Sequence, residues 1–503
     1  MAEPQERTGE LPGARPGERP GQDARGLRGG RQGDPTRGLL VVGAAEVATL
    51  AGGLRRGAAQ ADPAIAPPGT AIACLDGRIV AVAPAAEASE ALAAALEAGG
   101  RDPRAIDVLD AAGATVTPGL VDAHTHLLFA GSREGEVAMR ARGATYLEIL
   151  AGGGGILSTV RATRAASDAA LLAHGRRWLA RMLQTGTTTV EAKSGYGLDT
   201  ATELRLLAAA GRLAAEGPVD VVPTFLGAHA VPPEVRAAHP GDPAAATEAY
   251  VAAVIAEQLP AVAAQGIARS CDVFCESGVF TAEQARRILL AARAHGLEIR
   301  LHADELAPSG GAELAAELGA LSADHLGAPS AAGIAALARA AAASADPAGS
   351  AAPAPAALAR AAAWSGRPVV AVLLPTVPWF LGLAAPEPAR ELIEAGIPVA
   401  LATDFNPGTS PVTSLPLVMT AAVLMLRLDP AEALVATTVN AAAALGLADR
   451  GALVPGLRAD LVAWDVPTHA QVPYWAGTNL ARAVVVGGRL VVGARLVAGG
   501  VAG

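Results

Sequence analysis

Long apolar runs, clustered basic residues and cysteine are all scarce in this sequence. Its 503 residues contain three cysteines, and its net charge is −9. Three cysteines cannot supply a disulfide framework for a chain of this size, which predicts a reducing, cytoplasmic environment. A nucleic-acid partner is disfavoured because neutralising phosphates requires clustered lysine or arginine. We therefore expect a small-molecule partner. No apolar run reaches the length of a membrane span, so we expect no membrane association.

The two ends of the chain lack the long helical segments found in its middle. Residues 1–37 are rich in glycine, proline and arginine without an apolar segment, and we predict a disordered extension. Short β-type runs separated by turns occupy residues 38–119 and return in residues 450–503. We expect these two segments to build one small β-sandwich domain together.

The middle of the chain, residues 120–449, alternates apolar strand-like runs with segments of helical composition. This rhythm is typical of an α/β protein with a parallel sheet, and eight units favour a TIM-like (β/α)₈ barrel, with a doubly wound open sheet as the alternative. Residues 331–363 predict a helix followed by a low-complexity surface insertion. The predicted strands are Leu120–His126, Thr187–Ala192, Val219–Leu226, Cys271–Glu276, Glu298–Ala303, Leu321–His325, Val369–Leu374 and Val399–Thr403.

The first predicted barrel strand ends in two histidines one residue apart, His124 and His126. Alternate side chains of a strand share a face, so both imidazoles can bind the same metal ion. Residues able to bind a metal or move a proton lie at or just beyond the carboxyl ends of most of the other strands. In a barrel these carboxyl ends meet at one mouth, where active sites are built. The residues concerned are Glu191, Lys193, Tyr196, His229, Cys275, Glu276, His302, Glu305, Asp324, His325, Asp404 and Asn406.

Lys193 is the only lysine of the chain, which suggests a specific role. One interpretation is a carboxylated lysine that bridges two metal ions, with His229 and His302 on the second ion. A bridging lysine of that kind normally follows the fourth strand, whereas Lys193 follows the second. We therefore favour one ion and predict that Lys193 is structural or ion-paired in the mouth.

Several longer motifs resemble the amidohydrolase superfamily, and within it the enzymes of histidine degradation that open an imidazolone ring. The HxH start alone indicates only the superfamily, whereas the Gly-Ser-Arg-Glu, Ser-Gly-Tyr-Gly and Asp-Phe-Asn-Pro-Gly-Thr stretches indicate the narrower group. The matching stretches span residues 118–126, 131–134, 143–146, 153–156, 158–164, 191–197, 224–230, 302–305, 323–326, 374–375 and 403–409.

The resemblance implies one zinc or iron ion per subunit and a catalytic group beside it. The implied metal ligands are His124, His126, His302 and Asp404. Neutral imidazoles with one carboxylate suit zinc or iron better than magnesium or calcium. Glu305, His325 and Asp404 are the implied catalytic residues, with the assignment of acid and base among them left open.

The implied substrate is 4-imidazolone-5-propanoate, whose carboxylate requires a fixed cation away from the metal. Arg133 can form a bidentate pair with that carboxylate, although a surface arginine would be the ordinary interpretation without the resemblance. A homodimer is expected from the resemblance alone. The other implied substrate-binding residues are Tyr196, His229, Glu305, Asn406, Gly408 and Thr409.

Two alternatives stay open from the sequence. The chain could be another amidohydrolase, of the hydantoinase or aminohydrolase kind, that acts on a different small cyclic substrate. It could also be a binding protein that keeps a metal-binding barrel without catalysis. Glu305 and Asp404 argue against the second alternative, because a binder does not need a proton shuttle beside an open metal position.

Overall fold

The computed structural model describes residues 37–144, 154–344, 367–383, 387–493 and 497–498. Residues 1–36 of the predicted extension, residues 345–363 of the predicted insertion and motif residues 145, 146 and 153 lie outside these ranges. The first part of the insertion segment is the helix Ala331–Ala343, as its composition predicts. Within the described residues, no helix combines the length and apolar character that crossing a membrane requires.

A parallel eight-stranded barrel forms the centre of the molecule, and every strand predicted there is present. The strands follow each other around the sheet in sequence order. They are Leu120–Asp122, Thr187–Lys193, Asp220–Ala228, Ser270–Cys275, Leu301–Ala303, Ser322–His325, Val370–Leu373 and Val399–Leu401, here called barrel strands 1 to 8.

The barrel closes between the segments that follow strands 1 and 8. Thr125 and Phe405 form a parallel bridge. On either side of it, the His126 N–H donates to the Phe405 carbonyl at 2.9 Å, and the Asp404 N–H donates to the His124 carbonyl at 3.0 Å. The fold is therefore a closed barrel, and the open-sheet alternative is wrong.

The largest departures from the predicted strands are in the first and the fifth. Strand 1 ends at Asp122 instead of continuing to His126, and beyond it Thr125 forms the closing bridge to Phe405 and accepts the Lys193 N–H at 3.0 Å. The fifth predicted strand is divided into Glu298–Ile299 and Leu301–Ala303. The break falls at Arg300, whose guanidinium donates inward to the Ala123 carbonyl at 2.8 Å.

Several of the helices around the barrel begin at a side-chain cap and bury an apolar stripe. In the helix Ala282–Ala294, Thr281 and Gln284 form a capping box, and Ala285, Ile288 and Ala292 are buried at helical spacing. The helices of this region are Glu134–Ala141, Ile156–Ala165, Asp168–Gln184, Thr200–Glu216, Pro233–Ala238, Pro243–Ala253, Leu259–Gln265, Ala282–Ala294, Gly311–Leu318, Ala331–Ala343, Thr376–Leu381, Ala389–Glu394, Leu415–Met425, Pro430–Ala436 and Val439–Ala444.

Both ends of the chain contribute to two five-stranded sheets beside the barrel. Leu39, Ile72 and Leu109 from the first sheet share a buried core with Leu461 and Val485 from the second, which makes the pair a sandwich. The helix Ala85–Ala98 covers the other face of the first sheet. In spatial order the sheets are Val497–Ala498, Ile106–Asp110, Gly38–Val42, Thr70–Leu75 and Arg78–Pro84, and Arg489–Gly493, Ala481–Val486, Leu461–Trp464, Thr115–Pro118 and Glu46–Val47.

The chain passes from the sandwich into the barrel at Gly119. Pro118 pairs with Leu461 in the sandwich, while the Leu120 N–H already donates to Gly186 at the start of barrel strand 2. A Cβ at Gly119 would overlap the Thr188 side chain, so this close passage requires glycine. The two histidines that follow strand 1 are thus held at a fixed distance from the sandwich.

Candidate active site

Four side chains from the ends of strands 1, 5 and 8 meet in the barrel mouth. The Asp404 Oδ1 atom lies 3.5 Å from His124 Nε2 and 3.4 Å from His126 Nε2. The His126 and His302 Nε2 atoms are 3.4 Å apart. All four side chains are buried. The structure therefore brings together the four residues that the sequence predicts as metal ligands.

The arrangement fits a transition-metal ion. Ligand atoms bound at 2.0–2.2 Å lie about 3.0–3.4 Å apart when they are neighbours, close to the separations seen here. His124, His126 and His302 each offer one ring nitrogen as a ligand, and in the part of the chain that the structure describes these three atoms lie within 4.8 Å of one another. His124 Nε2 and Asp404 Oδ1 are buried without a hydrogen-bond partner, a costly state unless an ion binds them. Burial also keeps the pKa values of His124 and His126 well below the ordinary range, which favours the neutral, metal-binding form.

A carboxylate lies beside the Nδ1 atom of two of the imidazoles. His124 Nδ1 lies 2.6 Å from Asp324 Oδ2, and His302 Nδ1 lies 3.0 Å from Asp272 Oδ2. A carboxylate beside Nδ1 favours the tautomer with its proton there and leaves Nε2 with a free lone pair. Both rings thus present the correct atom to the ion.

The ion pairs of Lys193 place it inside the barrel. Its Nζ atom lies 2.6 Å from Asp272, 3.0 Å from Glu191 and 3.5 Å from Asp324, and its side chain is fully buried. The predicted ion pairing is therefore present, on a fully buried side chain at the carboxyl end of barrel strand 2. The interpretation as a carboxylated bridge is also disfavoured, because it would place another negative charge among three carboxylates.

His124, His126, His302 and Asp404 are together called the metal-type centre below. Glu305 and His325 lie beside it. The His325 Nε2 atom is 3.7 Å from Glu305 Oε2; the His325 side chain is buried, whereas that of Glu305 keeps 17% of its surface exposed. Burial and the nearby Asp404 raise the pKa of Glu305 to about 8, whereas burial lowers the pKa of His325 to about 3. At neutral pH the pair therefore consists of a protonated carboxyl and a neutral imidazole, a combination that can donate and accept protons.

Two acidic residues hold the loop that carries Glu305. The Glu276 carboxylate accepts the Leu306 N–H at 2.9 Å and the Ser309 hydroxyl at 2.7 Å. Asp304 accepts the N–H groups of Ser309 and Gly311 at 2.7 and 3.0 Å. The position of Glu305 is therefore fixed by its own loop.

The aromatic residues predicted to contact a substrate lie beside His126. The His229 ring stacks on the His126 ring with centroids 4.9 Å apart, and its Nδ1 is 3.0 Å from the Gly195 carbonyl. The Tyr196 ring lies 5.6 Å from the His126 ring and 5.5 Å from the His229 ring. These residues form one wall next to the metal-type centre.

Arg133 lies at the start of the helix Glu134–Ala141 and faces Gly408. A Cβ at position 408 would overlap the Arg133 guanidinium, so the absence of a side chain there admits the arginine. Glu136 binds this guanidinium at two points and also accepts the Gly155 N–H at 2.7 Å. The Arg133 guanidinium is thus in the mouth, next to the loop that follows strand 8. Its partner Glu136 was not recognised from the sequence.

Asn406 organises the loop that follows strand 8. Its side-chain oxygen accepts the N–H groups of Gly408 and Thr409, both at 2.8 Å, and its amide nitrogen donates to Asp404 Oδ2 at 3.0 Å. The same nitrogen donates to the Thr409 hydroxyl at 2.8 Å. These bonds hold one oxygen of Asp404 and leave the other directed at the histidines.

Asp272, Arg300 and Glu387 also belong to the surroundings of the site and were missed in the sequence. Asp272 and Arg300 lie inside otherwise apolar strand runs, and that was the available signal, because a charged residue there must face other charges in the barrel. Glu387 accepts the Leu374 N–H at 2.8 Å, and its other oxygen is buried without a partner. Burial, with smaller contributions from Glu305 and Asp404, raises the pKa of Glu387 to about 8.

Comparison with known proteins gives consistent results. Residues 130–492 match the amidohydrolase family profile. The chain is 47% identical to an imidazolonepropionase from Symbiobacterium thermophilum over 90% of this chain and 97% of the relative. It is 49% identical to an imidazolonepropionase from Geobacillus kaustophilus over 77% of this chain and 83% of the relative.

Among solved structures, the fold is similar to that of an adenosine deaminase from Xanthomonas campestris with bound zinc. The TM-score is 0.58 at 18% identity, with 90% of this chain and 92% of the other covered. At this identity the similarity supports the barrel fold alone.

Proposed function

Since the chain belongs to the imidazolonepropionases of the amidohydrolase family, we infer that it hydrolyses 4-imidazolone-5-propanoate to N-formimidoyl-L-glutamate in histidine degradation. The observation that carries this conclusion is the 47% identity to a curated imidazolonepropionase over 90% of the chain. In the reaction, water adds its oxygen to the ring carbonyl carbon, the cyclic amide C–N bond breaks, and the released nitrogen takes up a proton.

We propose that one zinc or iron ion is held by His124, His126, His302 and Asp404. The convergence of their ligand atoms and the unpartnered His124 Nε2 and Asp404 Oδ1 support this assignment. Such an ion, when bound, supplies Lewis-acid chemistry that polarises a carbonyl and acidifies water.

The proton chemistry is proposed for Glu305, His325 and Asp404. A carboxyl with a pKa of about 8 carries its proton at neutral pH, so Glu305 can deliver that proton to the ring nitrogen as the C–N bond breaks. His325, neutral and 3.7 Å from Glu305, can accept a proton from the attacking water. The Asp404 carboxylate is the second candidate acceptor, because its Oδ1 faces the same space.

The substrate carboxylate is proposed to bind Arg133. Glu136 accepts the Nε–H and one N–H of Nη2, so both N–H groups of Nη1 and the second N–H of Nη2 remain for a ligand beside Gly408. Tyr196 and His229 would then pack on the ring, with Glu305 at the ring nitrogen. Gly408 and Thr409 would contact the polar end of the ligand, and Asn406 would contribute by holding their loop.

The organisation of the chain follows from the same assignment. We propose that residues 120–449 form the catalytic unit and that residues 38–119 and 450–503 form its companion β-domain. We also propose a cytoplasmic homodimer, which light scattering of the purified protein would test.

The function is tested with purified protein loaded with zinc or iron. We expect loss of the imidazolone absorbance and formation of N-formimidoyl-L-glutamate, identified by its mass. Protein treated with a chelator and then reloaded serves as the control for metal dependence. If the loaded protein leaves this substrate intact but opens a hydantoin or releases ammonia from another ring, the assignment is wrong.

A further inference from the structure

We propose that Lys193 is a positioning residue of the metal centre, because it holds the two carboxylates that orient the ligands His124 and His302. This inference rests on the proposed metal site and is independent of which substrate is hydrolysed. It concerns a residue that touches neither the ion nor the substrate.

The first connection runs through one oxygen atom of Asp272. Oδ2 of this residue lies 2.6 Å from Lys193 Nζ and 3.0 Å from His302 Nδ1. The other oxygen, Oδ1, accepts the His302 backbone N–H at 3.0 Å. Asp272 therefore lies between the Lys193 ammonium group on one side and the ring and backbone N–H of His302 on the other.

The second connection runs through Asp324. Its Oδ2 atom lies 2.6 Å from His124 Nδ1 and 3.5 Å from Lys193 Nζ. Arg300 supports the same oxygen at 3.1 Å and pairs with Glu191 at 3.2 Å. In the described part of the chain, Lys193 is thus the cation with ion pairs to both orienting carboxylates.

The chemistry of an ammonium group suits this position. It carries three donors, and three carboxylates surround it, those of Glu191, Asp272 and Asp324. All of these groups are buried, so water cannot replace a missing donor. Burial by itself would lower the pKa of Lys193, but Asp272 and Glu191 outweigh it and raise the pKa, which preserves the charge.

Loss of this charge should act on the metal through the imidazoles. Without Lys193 the cluster would hold three carboxylates against Arg300 alone. Asp272 would then bind a proton or move, and His302 would lose the partner that directs Nε2 to the ion. Residues that orient metal ligands typically change metal affinity by roughly 10- to 100-fold when they are replaced.

The test compares Lys193→Met with a matched substitution at another buried cation, Arg450→Met. Arg450 pairs with Asp220 and Asp449, residues outside the metal-type centre. Zinc affinity is measured by competition with a chelator, and the ligand geometry by the visible spectrum of the cobalt-loaded protein. We expect Lys193→Met to weaken zinc binding about 10- to 100-fold and to change the cobalt spectrum, while Arg450→Met changes neither. Unchanged affinity and spectrum in Lys193→Met would overturn the proposal.

A second measurement needs no variant, because the chain contains only one lysine. Labelling with ¹⁵N-lysine should therefore give a single side-chain ammonium signal. We expect a slowly exchanging signal that shifts when zinc is added to the metal-free protein. The same position with and without zinc would contradict the coupling even if Lys193→Met does not fold.

The outcomes separate this inference from the proposed function. Zinc binding and imidazolone hydrolysis with no response at Lys193 would refute the positioning role alone. Zinc binding with a response at Lys193 but no imidazolone hydrolysis would refute the function alone. A wild-type chain that binds no metal would refute both the metal site and the role of Lys193.

Discussion

Glu136 binds the guanidinium of Arg133 at two points, with Nε to Oε1 at 3.0 Å and Nη2 to Oε2 at 2.9 Å. The pair lies within one turn at the start of a helix and is largely buried. It orients the arginine before any ligand arrives, so that a ligand finds a donor already in place. Preorganisation of this kind reduces the entropy lost on binding.

Replacement of Arg133 by alanine should raise KM for 4-imidazolone-5-propanoate. A lost hydrogen bond to a charged group corresponds to about 2 to 3 kcal/mol, or roughly 30- to 150-fold. An analogue without the propanoate carboxylate should lose far less, and steady-state kinetics with both compounds distinguish the cases. Arg133→Ala combined with Glu136→Gln removes the carboxylate left unpaired and should retain the effect. Equal losses for both compounds would mean that Arg133 is structural.

Glu136→Gln should act on the same step more weakly. Glutamine keeps one acceptor for Arg133 but loses the charge, so the guanidinium becomes less well oriented. We expect KM to rise about 3- to 10-fold, corresponding to roughly 1 kcal/mol, with kcat nearly unchanged. A large fall in kcat without a change in KM would show that Glu136 acts on the chemical step instead.

Glu305→Gln should abolish proton delivery while preserving the shape of the site. Loss of a general acid typically lowers the rate by roughly 100- to 10,000-fold, so kcat should fall by that factor. Ligand binding, measured by calorimetry, should remain within a few-fold of the original. Glu317→Gln, at an exposed ion pair with Arg286, is the matched control and should leave kcat unchanged. Full turnover in Glu305→Gln would remove Glu305 from the catalytic group.

Removal of the metal should lower thermal stability as well as activity. An ion present at about 100 times its Kd stabilises the folded state by about 2.7 kcal/mol. Differential scanning fluorimetry should therefore show a Tm several degrees lower after chelation and recovery on addition of zinc. In His302→Asn the dependence on zinc should be much smaller. A chelator effect of the same size in this variant would locate the stabilising ion elsewhere.

Glu387→Gln should change the pH dependence of stability. Burial raises the pKa of Glu387 from 4.5 to about 8, so between these pH values the folded state keeps a proton that the unfolded state releases. The wild-type chain therefore loses stability at this site as pH rises from about 4.5 to 8, by an amount on the order of a few kcal/mol. In metal-free protein, the Tm of the variant minus that of wild type should become more positive between pH 5 and pH 8. A constant difference would contradict the raised pKa.

Much of the fold and the metal-type centre could be predicted because the relevant signals are local. His124 and His126 lie one residue apart next to a strand, His302 lies at the end of another strand, and Asp404 follows the last strand, all at the same end of the barrel. Parallel strands bring those ends together whatever the lengths of the helices between them. Four residues far apart in sequence could therefore be assigned to one mouth, and the resemblance to the amidohydrolases then singled them out as the implied metal ligands.

The location of Lys193 could not be read in the same way. The predicted strand 2 ended at residue 192, which placed Lys193 on the mouth loop. In the structure the strand includes Lys193, and alternation gives it the same face as Glu191, toward the other buried charges. Because the predicted strand was one residue too short, Lys193 was expected on a loop, whereas in the structure its side chain points into the barrel interior. The pair of Arg133 and Glu136 depends on side-chain direction at a helix start, which sequence spacing leaves open.

The seam that closes the barrel has a consequence for folding. Asp122, on strand 1, accepts the Thr403 N–H at 3.0 Å across 281 residues of sequence. The proposed ligands His124 and Asp404 lie immediately beyond this contact, next to the first and the last strands of the barrel. Closing so long a loop is entropically costly and slow, so the complete ligand set exists only after the last strand has docked. An ion bound at the proposed ligands would therefore connect the first and last strands and stabilise the closed barrel.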